Sequence, residues 1–155
     1  DFTSTWYTTN DATFEITGLQ LEVGNVSTDF EHRSFGQELA LCQRYYETSY
    51  PYGVAIGGNG SYTGQITSSG STNGYGTMVT SIQFSIEKRG APTVTAYNSV
   101  NGNSGQWYAN RNGSSSHTSV TVDQISSKRC RLYFGVGANW VASNAEGHFV
   151  ANAEL

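Results

Sequence analysis

Charge is what this chain has least of. Only 13% of its 155 residues are Asp, Glu, Lys or Arg, about half the usual share. Lys and Arg number eight against twelve acids, for a net charge of -4. No basic stripe is available to release counterions from a phosphate backbone, so nucleic acid is not expected as a partner. Two cysteines, Cys42 and Cys130, are too few and too widely spaced for a zinc site or a disulfide framework, and buried free thiols are the expectation. No apolar run approaches the ~20 residues that cross a bilayer, which excludes membrane insertion by a helix, and the amino end lacks a signal-peptide layout. The chain begins at Asp1 without methionine and runs straight into strand-like sequence, which suggests a processed product or part of a longer polypeptide.

Catalytic motifs are missing as well. His32, His117 and His148 show no helical i, i+4 pairing and no cysteine nearby in a ligand pattern, so neither a metal nor a cofactor is expected. There is no G-x-S-x-G elbow and no P-loop, and "GGNGSYTG" lacks the lysine that would reach a phosphate and reads as a loop. No enzyme activity is expected; scattered acids leave polysaccharide depolymerisation as the lesser alternative.

The chain is rich in glycine, with 18 residues, and in aromatics, at 13%. Apolar residues alternate with polar ones in several stretches. Met78, Ile82, Phe84 and Ile86 share one parity, as do Cys130, Leu132, Phe134 and Val136; Val120 and Val122, "TVTAY" and "HFVANAEL" add further strands. Loops such as "GGNGS", "SSGSTNGYG" and "NGNSG" separate them. Short strands with Gly-Asn-Ser turns and no intervening helices predict an all-β fold, an antiparallel β-sandwich or jelly roll. Near the amino end, Phe14 and Ile16 have one parity and Leu19, Leu21 and Val23 the other, so a bulge or bend is expected at Thr17-Gly18.

One stretch departs from the strand pattern. In "FGQELALCQRYYE", Phe35, Leu39, Cys42 and Tyr46 follow each other at spacings of four, three and four, and Ser34 with Gln37 resembles a capping box. A helix over 35–46 is predicted. The expected organisation is the closing strands of a preceding β-domain over 1–33, a linking helix over 34–47, and a distal β-sandwich over 48–155.

"FEITGLQLEVGNVSTDFEHRSFGQELALCQRYYE" resembles a segment of bacteriophage tail fibre proteins, and "KRGAPTVTAYN" and "AEGHFVANAEL" resemble later parts of the same family. The family's usual pattern has glutamate where Gln37 stands and differs at "EKRG". The resemblance implies the distal module of a tail fibre, exposed on the virion, homotrimeric, in contact with other virion tail proteins and attaching to the host. Read from the residues alone, the stripe has fewer heptads than a coiled coil and packs either on the chain's own sheet or against copies of itself; the resemblance implies that Phe35, Leu39, Cys42 and Tyr46 form the oligomer interface. A purely structural virion module is the alternative.

A cell-surface polysaccharide or lipopolysaccharide is the expected ligand, because sugars stack on aromatic rings and pair with amides and carboxylates. Three stretches offer that mixture: Trp107, Tyr108, Asn110 and Arg111 in "GQWYANRNG"; Asn139, Trp140, Asn144 and Glu146 in "GVGANWVASNAEG"; and Tyr75 in "STNGYGT". The basic clusters "EKRG" and "SKRCR" read as solvated turn ends.

Overall fold

The computed structural model describes residues 10, 13, 15–60, 62–111 and 114–154, giving only the backbone for 70–76, 111, 114 and 136–143. The chain divides into two units, Asp1–Ser34 and Phe35–Leu155.

In the first unit, Phe14 lies outside the described residues, and residues 15–34 form no strand. The strand expected there has no ladder partner among the described residues, and without one a run of apolar alternation does not settle into a sheet. Gly18, with φ 70°, does occupy the left-handed region at the point where the parity switches. Beyond it the backbone is held by side chains. The Thr28 amide donates to Glu22 Oε1 at 2.5 Å, and the Glu31 amide to Gln20 Oε1 at 2.8 Å. Hydrogen bonds from Thr28 lower the Glu22 carboxyl below its ordinary range. Leu19, Leu21, Val23 and Val26 are exposed.

The second unit is a mostly antiparallel β fold with one short helix, as the alternation predicts. Its elements are α1 (Phe35–Gln43), β1 (Tyr46–Thr48), β2 (Ile66–Gln83), β3 (Thr93–Asn98), β4 (Gln106–Arg111), β5 (Ser114–Ser119), β6 (Thr121–Asp123) and β7 (Arg129–Asn152). All seven strands belong to one sheet, and β7 is its hub. It pairs with β1, β2, β3, β4 and β6, while β5 pairs with β4.

The apolar alternation delivers the core. Met78 stands opposite Phe134 and Ile82 opposite Cys130, and these four pack with Leu132, Phe84, Ala96, Trp107, Ala109, Ala145, Phe149 and Ala151. Phe134 and Gly147 lie thirteen residues apart on β7, which in a straight strand is about 43 Å. A Cβ built on Gly147 would touch the Trp107 ring, and that ring lies 5.7 Å from Phe134. The β2–β7 ribbon is therefore bent back over the core.

Its register shifts fall between Gly70 and Thr77. Gly76 opposes Gly137 and Thr77 opposes Gly135, so Val136 is an extra residue on β7. Such a bulge bends a strand and flips its parity. Core residues on β7 are even-numbered up to Phe134 and odd-numbered from Ala145 onward. Val136, expected to continue the run, has no described side chain.

The helix begins where the capping box places it but ends at Gln43. Tyr46, expected in its last turn, instead opens β1 opposite Asn152, because three backbone pairings with β7 compete successfully with one more helical turn. Partial burial, and then the Tyr97 phenol, raise the Tyr46 phenol above its ordinary value.

The junction is fixed by Lys88 of the "EKRG" cluster. Its side chain is completely buried, not solvated, and pairs with Glu47. Lys88 Nζ also donates to the carbonyls of Gln43 at 2.6 Å and Ile86 at 3.1 Å. Glu47 accepts from the Ser85 amide at 3.1 Å and the Ser85 hydroxyl at 2.9 Å. In "SKRCR", Arg131 is likewise engaged, with Nε 2.7 Å from Asp123 Oδ1 and Nη2 2.5 Å from Oδ2.

Both cysteines are free, but only Cys130 is buried; Cys42 is exposed on α1.

Two predictions follow from this packing. Lys88→Ala leaves the Glu47 carboxylate buried without its counter-charge and should cost about 3–5 kcal/mol in urea unfolding, whereas Lys88→Met with Glu47→Leu should recover most of the loss. Burial pushes the Cys130 thiol from 9.0 up to about 11. Between those values the unfolded chain has released a proton that the folded chain still holds, so rising pH favours unfolding. The contribution is present in full below pH 9.0 and lost above about 11. Tyr46 and Tyr50 are raised by burial with the same sign, so the check is a comparison: Cys130→Ala should lose less stability than the parent between pH 8.5 and 10.

Candidate functional site

The register brings several of the expected residues onto one surface. Residues directly opposite in a sheet share a face. Thr67 of β2 opposes Glu146 of β7, Glu146 opposes Tyr108 of β4, and Tyr108 opposes His117 of β5. A second row parallel to it runs Ser69, Asn144, Asn110 and Ser115. The alternate positions Ser68, Ala145 and Ala109 are buried on the core side, whereas all eight members of the two rows are half-buried or exposed. The result is a four-strand shelf of hydroxyls, amides, one carboxylate, one imidazole and one phenol ring.

Hydrogen bonds fix its central groups. Gln65 Nε2 donates to Glu146 Oε2 at 2.9 Å. The Tyr108 ring lies 5.8 Å from the His117 ring. His117 Nδ1 accepts from Asn98 Nδ2 at 3.0 Å and from Asn101 Nδ2 at 3.3 Å. Asn98 Oδ1 in turn takes the amide of Val100 at 2.9 Å, so the turn after β3 is tied to β5. The amide oxygens of Gln65 and Gln106 are buried with no partner among the described residues.

Ahead of the loop over 51–64, Tyr50 packs on the buried imidazole of His148. The Tyr50 ring stacks on that imidazole at 3.9 Å, and Tyr50 Oη accepts the Gly57 amide at 3.2 Å. The 51–64 loop locks against the 99–105 turn, where a Cβ on Gly102 would lie 1.9 Å from the Gly57 carbonyl oxygen. Gly102 also has φ 72°, so no other residue fits there without rebuilding both loops. Tyr52 and Tyr62 stand exposed on this loop.

Of the expected ligand contacts, Tyr108, Asn110 and Glu146 are thus assembled on the shelf. Trp107 is not available: it is completely buried, and its indole N–H donates to the His148 carbonyl at 3.3 Å. Neighbours on a strand point to opposite faces, so Trp107 fills the core where Tyr108 meets solvent. Asn139 and Trp140 were expected in a loop but lie within β7, with Trp140 opposite Thr72. Tyr75 lies in β2 opposite Ala138, and Arg111 ends β4 opposite Ser143; the side chains of these four are not described.

Thr67, Ser69, Gln65 and His117 were missed, since only the register joins them to Glu146. Tyr52 and Tyr62 were legible as aromatics in a glycine-rich loop. Among the described residues no group of three His, Cys, Asp or Glu side chains is placed to hold a metal ion, and no helix is long and apolar enough to cross a membrane.

No protein-family model, curated protein or solved structure matches this chain.

Gly147 sets the depth of Trp107 beneath the shelf. A Cβ there would lie 2.3 Å from Trp107 Cδ1 and 2.6 Å from the Tyr97 carbonyl oxygen. Gly147→Ala should therefore cost about 1–3 kcal/mol by overpacking, measured by chemical denaturation followed through tryptophan emission.

Proposed function

We propose that the chain is the distal, receptor-binding module of a bacteriophage tail fibre, without enzymatic activity, which attaches to the host by binding a cell-surface glycan. The observation that carries the binding half of this reading is the two-row polar shelf. Its hydroxyls, amides and carboxylate offer the hydrogen-bond groups that sugars use, and the half-buried Tyr108 ring offers an apolar face for C–H contact. Tyr52 and Tyr62 add exposed rings on the 51–64 loop, which meets the 99–105 turn at Gly57 and Gly102. The tail fibre half rests on the sequence resemblance.

The same reading makes the chain a homotrimer. Helix α1 buries none of its residues within the chain, and Phe35, Leu39 and Cys42 remain exposed on it. A nine-residue helix with an uncovered apolar ridge is marginal in water and gains from covering that ridge. Tyr46 adjoins the ridge from the start of β1 rather than from the helix.

A structural virion module is the second reading. It is favoured by the exposed Leu19, Leu21, Val23 and Val26, which suit contact with other protein segments better than contact with sugar.

Light scattering of the purified chain should give three times 16.8 kDa, and Leu39→Glu should shift it towards monomer. The soluble chain should bind susceptible cells and block phage adsorption, and Tyr108→Ala should reduce that binding about tenfold or more. Binding to virion proteins with none to cells would favour the structural reading, and shortened polysaccharide chains after incubation would favour the depolymerase.

A further inference from the structure

We propose that Glu146 is the specificity-determining group of the shelf, and that the shelf takes uncharged or amino-bearing sugars and rejects anionic ones. This rests on the glycan-binding reading above and names the class of ligand.

Glu146 occupies the middle of its row, between Thr67 and Tyr108. One carboxylate oxygen is held by Gln65 at 2.9 Å, and its other oxygen has no hydrogen-bond partner among the described residues. Gln65 presents its N–H to the carboxylate although this leaves its own amide oxygen buried and unpartnered. The opposite orientation would set two oxygens against each other, so the negative charge of Glu146 decides the arrangement. The acceptor is thus positioned before any ligand arrives, and the oxygen facing away from Gln65 is left to a hydroxyl pair or an ammonium group.

No cation with a described side chain stands in either row. Lys88 is buried against Glu47, Arg131 is paired with Asp123, and Lys128 lies 3.7 Å from Glu87. A uronate, sialate or phosphate laid across Tyr108 would meet the Glu146 carboxylate with no lysine or arginine among the described side chains of the two rows to offset the repulsion, and the net charge of -4 adds to it. An amine or a neutral hydroxyl pair meets a charged acceptor, the stronger kind of hydrogen bond.

The test is a binding panel on the full chain using oligosaccharides of three charge types: neutral, amino-bearing such as glucosamine oligomers, and anionic such as galacturonate oligomers. Amino-bearing or neutral members should bind at least about tenfold more tightly than anionic ones of equal length. Glu146→Gln should abolish the preference for the free amine over its N-acetylated form, and Glu146→Lys should raise anionic binding. Circular dichroism should show both variants folded as the parent is. Anionic binding equal to neutral binding, or an unchanged ranking in Glu146→Gln, would overturn this inference and leave glycan binding standing. If no sugar of any charge bound, the glycan reading would itself be overturned.

Discussion

The buried pair of Lys88 and Glu47 is the constraint on which the second unit turns. Removing two charges from water is costly, and the attraction between them repays this only if every remaining donor and acceptor is met. Here all are met. The three N–H groups of the ammonium go to Glu47, the Gln43 carbonyl and the Ile86 carbonyl, and the carboxylate takes Ser85 as well. The contacts join the end of α1, the middle of β1 and the segment after β2. An apolar pair of equal volume would fill the space, but it would not say where the helix stops. The cation does so by taking the carbonyl of the last helical residue, where the helix dipole also favours positive charge.

From that junction β1 reaches the last residues of β7, which β3 flanks on the other edge. The remainder of β7 carries both the core and the shelf. Three register shifts between Gly70 and Thr77, one of them the extra residue at Val136, separate the even-numbered core positions of β7 from the odd-numbered ones, and the bent ribbon brings Phe134 against Trp107. The odd positions from Ala145 to Ala151 then close the core, leaving Asn144 and Glu146 to the outside. The shelf is the outer side of the packing that buries Trp107, so its geometry follows from the core rather than from separate loop design.

Alternation made much of this legible in the sequence. Met78, Ile82 and Phe84, and Cys130, Leu132 and Phe134, were placed on one face correctly because strand periodicity is local. What depends on distant partners was not legible. The burial of Lys88 needs Glu47 from another element, and a lysine beside a glycine in a turn looks solvated until that carboxylate is brought to it. Tyr46 continues the helical stripe on paper and is drawn out of it by Asn152, near the far end of the chain. "QWYANR" announces that Trp107 and Tyr108 face opposite ways, yet which ring is inside is settled only by Gly147, whose missing side chain makes room for the indole. The members of the shelf come from four strands, and no spacing rule on a single strand could have collected them.

Building such a surface on strands has a physical consequence for recognition. A ligand that lies across paired strands meets groups already held in register, so little backbone entropy is lost on binding, whereas loops must be ordered first. The 51–64 loop follows the same economy of motion: the Gly57–Gly102 approach and the Tyr50–His148 stack fix it, and Tyr52 and Tyr62 are exposed on it. Parity also separates the two jobs of each strand. Replacing Thr67, Ser69, Asn110 or Ser115 alters the shelf without entering the core, since the inward positions are Ser68, Trp107, Ala109 and Ala145. A surface of this kind can change its ligand by outward substitutions while the same buried residues keep the fold.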